Sequence, residues 1–213
     1  MNKTKNKPYT LTPESFLNRG ERKRLIHVCK DRSDDDLLHG RITWPVRWML
    51  VDLALYSGLR VGEIAALKVE DLYLNDNDPY LIVRSGKGRK TRTVYFDLKL
   101  SEHLKWFIDF KNYGLLQSNK PGSALFTGRN GGHCPVITLE KSFKKAASEA
   151  GLPSRYSIHS LRHTYATYLL NDTGNLRYVQ KQLGHSSIVM TSLYANILPE
   201  MNGALANKIS RDE

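Results

Sequence analysis

Four residues with chemically active side chains stand close together near the carboxyl end of the sequence. His159, Arg162, His185 and Tyr194 lie in the motifs HSLRH and LGH and in the segment after them, at spacings that an apolar core does not require. His159 and Arg162 are three residues apart at the head of a predicted helix, so their side chains can point the same way. Far upstream, Arg60 in SGLRVGE precedes an acidic residue by three positions. We expect folding to bring both groups together around one phosphate.

Side chains of these types suit the cleavage of a phosphodiester. Two guanidinium groups can bind the non-bridging oxygens and stabilise the negative charge that builds there during attack. A tyrosine hydroxyl can be a covalent nucleophile when a neighbour takes its proton, and histidine suits that acid–base role near neutral pH. The leaving oxygen needs a proton, which a lysine on a flexible turn can supply. This chemistry needs no metal ion, cofactor or ATP, because the energy of the broken bond stays in a phosphotyrosine linkage.

The overall charge indicates a polyanionic partner. The 213 residues include 32 Lys and Arg against 21 Asp and Glu, which gives a formal net charge of +11. Nucleic acid is the commonest partner of so basic a protein, although a basic surface that serves only solubility also fits the composition. Cys29 and Cys134 lack the CxxC spacing of a zinc site, and no apolar run suggests a membrane span or a secretory signal. We expect one domain in the cytoplasm.

Apolar periodicity predicts a mainly α-helical chain with a small antiparallel sheet, which is an α+β fold. The clearest helix runs from Trp44 to about Tyr56 and ends at Gly58, and another starts near Arg60. The helix dipole disfavours a cation such as Arg60 at the start of a helix. A residue that formed only a surface salt bridge would not need this unfavourable position. Further helices are predicted over residues 100–113, 138–150, 160–170 and 177–183.

Three short strands are predicted at Leu72–Leu74, Tyr80–Val83 and Thr93–Phe96. The turn between the last two contains glycines and four cations, which are Lys87, Arg89, Lys90 and Arg92. The plain interpretation is a solvated hairpin tip, since such turns favour Gly and Lys. The alternative is a basic finger that contacts a nucleic acid backbone and delivers a proton from its lysine.

The remaining segments are predicted to be a flexible arm, a first helix, a polar loop and a tail helix. Residues 1–9 are expected to form a basic flexible arm, and Thr12 is expected to cap a first helix that begins at Pro13. The acidic run Asp31–Asp36 is predicted to be a polar loop. Residues 199–213 are predicted to form a tail helix with one apolar edge.

His163 raises a competing hypothesis, because it follows His159 by four residues and such a pair can bind a metal ion. The glutamate of HExxH is missing, however, and no carboxylate adjoins the pair. We therefore favour the phosphate site over a metal site and interpret His163 as a structural histidine.

His185 and Tyr194 are nine residues apart and would face opposite sides of one continuous helix. The segment Gly184–Ser187 has the residues of a helix end followed by a helix cap. We predict a break there, so that His185 precedes the helix that carries Tyr194.

In this order the motifs resemble the tyrosine recombinase family, which includes phage integrases and the Xer- and Cre-type recombinases. The pieces are SGLR with an acid three residues on, GKG on the hairpin, HxxRH, LGH, and a tyrosine nine residues further. Any one of these short motifs can occur by chance, but the complete set in this order is specific to the family. The resemblance covers about residue 10 to the end and implies the catalytic-domain fold of that family, without metal or other cofactor.

The resemblance implies six catalytic residues and one supporting acid. The implied roles are phosphate clamps for Arg60 and Arg162, general acid to the 5′-oxygen for Lys87, acid–base partner for His159, phosphate hydrogen-bond donor for His185, 3′-phosphotyrosine-forming nucleophile for Tyr194, and site support for Glu63. The remaining hairpin cations, Arg89, Lys90 and Arg92, are expected to contact the DNA backbone.

The resemblance also implies a site-specific recombinase that acts in DNA integration, excision or inversion. Residues 10–198 would form the catalytic domain, and we expect no N-terminal core-binding domain of the kind that family members usually carry. The implied partners are double-stranded DNA, further copies of the chain in a tetrameric synapse, and accessory DNA-bending or directionality factors. In the family the tail helix docks on a neighbouring subunit, and packing on its own domain is the alternative.

Two other functions stay open. A type IB topoisomerase uses a similar Arg, Lys, His and Tyr set to nick and reseal one duplex, although the LGH box and the short tail resemble recombinases. A catalytically idle DNA-binding accessory protein would share the fold, but it has no use for Tyr194 or Lys87. A requirement for two DNA sites separates a recombinase from a topoisomerase.

Overall fold

The computed structural model describes residues 12–84, 91–113, 120, 122–185 and 189–195. Within these residues the chain forms eight α-helices, two short 3₁₀ helices and one three-stranded sheet, which confirms the predicted mainly helical α+β class. The α-helices are α1 Arg19–Leu38, α2 Thr43–Ser57, α3 Val61–Ala66, α4 Leu98–Tyr113, α5 Val136–Glu149, α6 Ile158–Thr173, α7 Leu176–Leu183 and α8 Val189–Ala195. The strands are β1 Leu72–Tyr73, β2 Tyr80–Arg84 and β3 Thr91–Tyr95. The predicted arm at 1–9 and tail helix at 199–213 lie outside the described residues.

The first α-helix starts later than predicted. Thr12 leads only a 3₁₀ turn over Pro13–Ser15. The chain is then held in place by Leu17, which is fully buried and whose backbone N–H donates to Thr164 Oγ1 at 2.9 Å. α1 begins after Asn18, whose side chain accepts a backbone N–H of the first turn. Packing of Leu17 against α6 thus separates the 3₁₀ turn from the helix.

The acidic run Asp31–Asp36 is helical, so its prediction as a loop was wrong. Asp36 is buried and accepts the backbone N–H of Trp44 at 2.8 Å and Nε of Arg41 at 2.7 Å. This carboxylate therefore ties the end of α1 to the start of α2. The loop was predicted because all the side chains of the run were assumed to be solvated, whereas Asp36 is buried and has an internal partner.

α2 is the central helix and packs against α1, α4, α5 and α6. Leu50, Val51, Leu53 and Ala54 are each at most 1% exposed, so the helix is buried on more than one face. Burial of one such leucine stabilises the fold by about 2 kcal/mol. Gly58 then ends α2 in the left-handed conformation, with φ 63°. The chain turns there and presents the next residues at the edge of the core.

The sheet has the order β1-β2-β3, with Leu81 opposite Val94. Both of these residues are fully buried, and Tyr95 beside them is exposed, which is the alternation of a half-buried sheet. β3 packs against α7. The hairpin turn itself, residues 85–90, lies outside the described residues, and with it Lys87, Arg89 and Lys90.

Helices α6, α7 and α8 share a smaller apolar cluster. Its buried members are Ala166, Leu170, Val179, Leu183 and Tyr194. α8 packs on both α6 and α7, so the ring of Tyr194 is part of a core and its hydroxyl is directed at α6. Among the described residues, no helix combines the length and apolar character needed to cross a membrane.

Candidate active site

Arg60 is the N-cap residue of α3, in the helix junction that the sequence predicted. Its backbone N–H donates to Glu63 Oε2 at 2.8 Å, and its Nη1 donates to Glu63 Oε1 at 3.0 Å. The Arg60 side chain is 46% exposed. The carboxylate thus orients a guanidinium that still faces solvent, at a helix end where its charge is otherwise opposed by the dipole.

Glu63 lies among three arginines. Arg92 donates from Nη1 and Nη2 to its two carboxylate oxygens, both at 2.8 Å, and Nη1 of Arg162 lies 4.0 Å from Oε2. Burial alone would raise the pKa of Glu63, but the Arg92 guanidinium, the Arg60 backbone N–H and the charge of Arg162 outweigh it and lower the pKa to about 2. Glu63 is therefore ionised at neutral pH and fixes the relative positions of the three cations.

Arg92, which the sequence predicted as a DNA-backbone contact, has several internal partners. Its guanidinium forms the bidentate pair with Glu63, its Nε donates to the carbonyl of Gln182 at 3.1 Å, and its side chain is only 16% exposed. Gly184 lies against it, since a Cβ there would stand 2.6 Å from Arg92 Cδ. The chain brings a carboxylate and the end of α7 to this arginine, so its charge is satisfied inside the protein. In this structure Arg92 is therefore an ion-pair partner of Glu63, and its contact with DNA stays a prediction.

Arg162 is 2% exposed and connects three segments. Its Nη1 donates to the carbonyl of Gly58 at 2.5 Å, and its Nη2 donates to the carbonyl of Leu183 at 2.8 Å. Burial, and next the charge of Arg60, lower its pKa to about 10, so it stays charged at neutral pH. This cation is oriented before any ligand arrives.

His185 is joined directly to Arg162. Nη2 of Arg162 lies 3.0 Å from His185 Nε2, and because a guanidinium can only donate, Nε2 is the acceptor. The proton is then on Nδ1, which donates to Thr191 Oγ1 at 3.1 Å. Burial and the nearby arginines, above all Arg162, lower the pKa of His185 to about 4. Burial and the same cations also lower the pKa of His159, on the first turn of α6.

The hydroxyl of Tyr194 lies 2.9 Å from Nδ1 of His163, and both residues are buried. The sequence predicted a structural role for His163, and no feature of the local motif indicates that it meets a residue 31 positions away. Its ring is perpendicular to that of His159, with centroids 4.5 Å apart. Among the described residues no group of three His, Cys, Asp or Glu side chains is placed to hold a metal ion.

The fold therefore brings together five of the six predicted catalytic residues. Glu63 links Arg60 to Arg162, and Arg162 contacts His185. α6 carries Arg162 together with His159 and with His163, whose Nδ1 lies 2.9 Å from the Tyr194 hydroxyl. The sixth, Lys87, lies outside the described residues.

Comparison with known proteins identifies the family that has this fold, with its clustered arginines and buried tyrosine. A profile of the phage integrase family matches residues 15–201. The chain belongs to the phage integrase family.

Curated relatives carry the name tyrosine recombinase. The protein of that name, XerC, from Neisseria meningitidis serogroup B is 38% identical over 148 residues, which cover 70% of this chain and 46% of the relative. XerC from Halalkalibacterium halodurans is 33% identical over 188 residues, which cover 86% and 58%. This chain thus spans about half the length of these relatives.

Solved structures agree with the family assignment. The crystal structure of XerA recombinase superposes with a TM-score of 0.73 at 26% identity and covers 97% of this chain and 68% of its own. A XerH recombinase bound to difH DNA before cleavage gives 0.74 at 22% identity, covering 95% and 56%. The catalytic domain of bacteriophage HP1 integrase gives 0.60 at 24% identity, covering 91% and 94%, and these last two similarities show the fold.

Proposed function

We propose that this chain is the catalytic domain of a site-specific DNA recombinase that breaks and rejoins strands through a 3′-phosphotyrosine. The observation that carries the proposal is the continuous set of contacts from Arg60 through Glu63 and Arg162 to His185. It lies beside the contact between His163 of α6 and Tyr194. It holds two cations and a nucleophile as one unit, which a passive DNA-binding surface does not need. The names of the relatives and the XerH complexes with DNA support the same function.

In this mechanism Arg60 and Arg162 bind the two non-bridging oxygens of one DNA phosphate. Attack by Tyr194 Oη forms the bond to phosphorus, and the 5′-oxygen leaves as the bond to it breaks. Fixed guanidinium groups stabilise the added charge without reorganising, which is the main source of rate enhancement in such sites. His159 serves as an acid–base partner. His185 is proposed to donate a hydrogen bond to the phosphate from Nε2, which accepts from Arg162 in the free protein and must therefore be protonated first. The negative charge of the phosphate offsets the field of the arginines and favours that protonated imidazole.

Lys87 is proposed as the general acid that protonates the leaving 5′-oxygen. The K87A variant should cleave normal DNA poorly and recover on DNA with a sulfur at the 5′-bridging position, because a thiolate leaves without protonation. Cleavage rates on the two substrates measure this directly. Failure of the sulfur substrate to restore cleavage would remove Lys87 from that role.

We further propose that the active form is a tetramer of the whole protein on two double-stranded DNA sites, in the nucleoid, with accessory bending or directionality factors. Two labelled duplexes carrying the same candidate site, of the kind bound by XerH, should yield hybrid products. Relaxation of a single supercoiled molecule without exchange would support a type IB topoisomerase instead. Tight binding without any cleavage would support the accessory DNA-binding protein.

A further inference from the structure

The last strand of the sheet is bound along its outer edge by a side chain of α7. An edge strand usually leaves its outward N–H groups to solvent, but the N–H of Tyr95 in β3 donates to Oε1 of Gln182 at 3.1 Å. Gln182 is 2% exposed, and its Nε2 donates to the hydroxyl of Tyr178, one turn earlier on α7, at 2.8 Å. The amide thus has a partner at both ends, and its orientation is fixed because a backbone N–H can only donate.

Gln182 contacts β3 a second time through its backbone. Its carbonyl accepts Nε of Arg92, which precedes Tyr95 on the strand, at 3.1 Å. Gly184 packs on the same arginine, since a Cβ there would stand 2.6 Å from Arg92 Cδ. A single contact would let the helix pivot on the strand, whereas contacts at two positions of β3 fix both the place and the rotation of the helix. The end of α7 is therefore held in one position on the edge of the sheet.

Both arginines that are proposed to bind phosphate are connected to this junction. On the strand side, Arg92 forms its bidentate pair with Glu63 at 2.8 Å, and Glu63 accepts Nη1 of Arg60 at 3.0 Å. On the helix side, the carbonyl of Leu183 accepts Nη2 of Arg162 at 2.8 Å. A shift of the end of α7 relative to β3 would therefore move one phosphate-binding guanidinium with respect to the other.

We propose that Gln182 is a positioning residue for the phosphate-binding arginines. By binding the edge of β3 it sets the distance between the guanidinium groups of Arg60 and Arg162, and it acts through them without contacting the reacting atoms. A displacement of about 1 Å in such a site can lower a rate by about 10²-fold. Leucine at position 182 would fill nearly the same volume but could not accept the N–H of Tyr95. The inference rests on the proposed function.

The test measures single-turnover formation of the covalent adduct on nicked duplex DNA, with two forms of the cleaved phosphate. On the natural phosphate, Gln182→Leu should slow adduct formation by about 10²-fold, while DNA affinity stays close to that of wild type because contacts to other phosphates supply most of it. In a methylphosphonate one non-bridging oxygen is replaced by a methyl group, so less negative charge develops for the arginines to stabilise. The difference between wild type and Gln182→Leu should then fall below about tenfold. A general loosening of the fold would slow both substrates by the same factor, and that result would overturn the inference.

Tyr178→Phe is the matched control on the same helix. It removes the acceptor of Gln182 Nε2 and leaves the bond from the Tyr95 N–H to Oε1. Each of the two variants leaves a polar group at the junction without its partner, so both should lower the melting temperature. Only Gln182→Leu should lose rate, and Tyr178→Phe should stay within a few-fold of wild type. An equal loss of rate in Tyr178→Phe would mean that the rate follows stability, and would overturn the inference.

DNA with a sulfur at the 5′-bridging position gives a third comparison. Gln182→Leu should gain no more from it than wild type does, because protonation of the leaving oxygen is not its defect. Full recovery on this substrate would assign the defect to that protonation and would overturn the role proposed for the arginines. A Gln182→Leu rate within a few-fold of wild type on the natural phosphate would also overturn it and leave the recombinase function standing. Absence of any adduct from the wild-type protein would instead reject the function and this inference together.

Discussion

Arg60 and Arg162 are the same residue type in opposite surroundings. Arg60 is 46% exposed and has one carboxylate partner, whereas Arg162 is 2% exposed and binds two backbone carbonyls and His185. Both are expected to bind phosphate, but only Arg162 also joins α2, α6 and α7. Its replacement therefore affects the fold as well as the chemistry.

Replacing each arginine by alanine should lower stability by different amounts but abolish cleavage in both cases. R162A leaves the carbonyls of Gly58 and Leu183 buried without their donor, and should lower the free energy of unfolding by about 3 kcal/mol. R60A removes an exposed ion pair and should cost less than about 1 kcal/mol. Both should abolish adduct formation. Denaturant titrations check the stabilities, and equal losses for the two variants would contradict the difference in burial.

Residue type and spacing predicted which residues would lie close together in the candidate site. Arg60, Glu63, Arg162, His185 and Tyr194 could be grouped because each lies in a short motif and their side chains suit one reaction. Two contacts could not be predicted in this way. The contact of His163 with Tyr194 depends on how α8 docks on α6, and the pairing of Arg92 with Glu63 depends on how β3 packs beside α3 and α7. Both are set by tertiary packing between distant segments.

At the scale of elements, the site lies where helices end. Gly58 closes α2 and Gly184 closes α7, both with positive φ. Gly58 itself supplies a carbonyl that Arg162 binds, and Gly184 directly precedes His185, whose imidazole Arg162 also contacts. A Cβ at Gly58 would stand 2.3 Å from Cδ1 of Tyr165, a ring on α6. The glycine is required both for the turn and for the close approach of α6 to α2.

Gly58→Ala should therefore cost more than another glycine at a helix end. Gly40 follows α1 with φ 65° and has open space where a Cβ would be, so Gly40→Ala should cost about 1 kcal/mol from backbone strain alone. Gly58→Ala adds a clash with Tyr165 and should cost about 3 kcal/mol. Thermal or denaturant unfolding measures both. Equal costs would mean that Tyr165 moves freely and that the packing at this junction is loose.

The elements were predicted well where apolar periodicity was strong. α2, the sheet and the helices from α4 to α7 were found within about two or three residues of their observed ends. The errors fell at the start of α1 and at Asp31–Asp36. In both places the side chain or backbone has a partner beyond its own element, Thr164 for Leu17 and Trp44 for Asp36. Local propensity carries no information about such contacts.

At the scale of the whole molecule, the charge balance favours a DNA partner. The formal net charge is +11, and one of the few carboxylates near the site, Glu63, is already neutralised by arginines. Contacts to phosphates release counterions, so the affinity for DNA should fall steeply and linearly on a log–log scale as salt increases. Binding measured between about 50 and 200 mM salt checks this. A flat response would argue against phosphate contacts.

The most direct test of the central claim is the detection of a covalent adduct at Tyr194. The protein is incubated with nicked, labelled duplexes that carry candidate sites, and the mixture is denatured and examined for protein joined to DNA, with Y194F in parallel. We expect an adduct from the wild-type protein, with the 3′-phosphate mapped to Tyr194 by mass spectrometry, and none from Y194F. An adduct that persists in Y194F, or tight DNA binding without any adduct, would contradict the account.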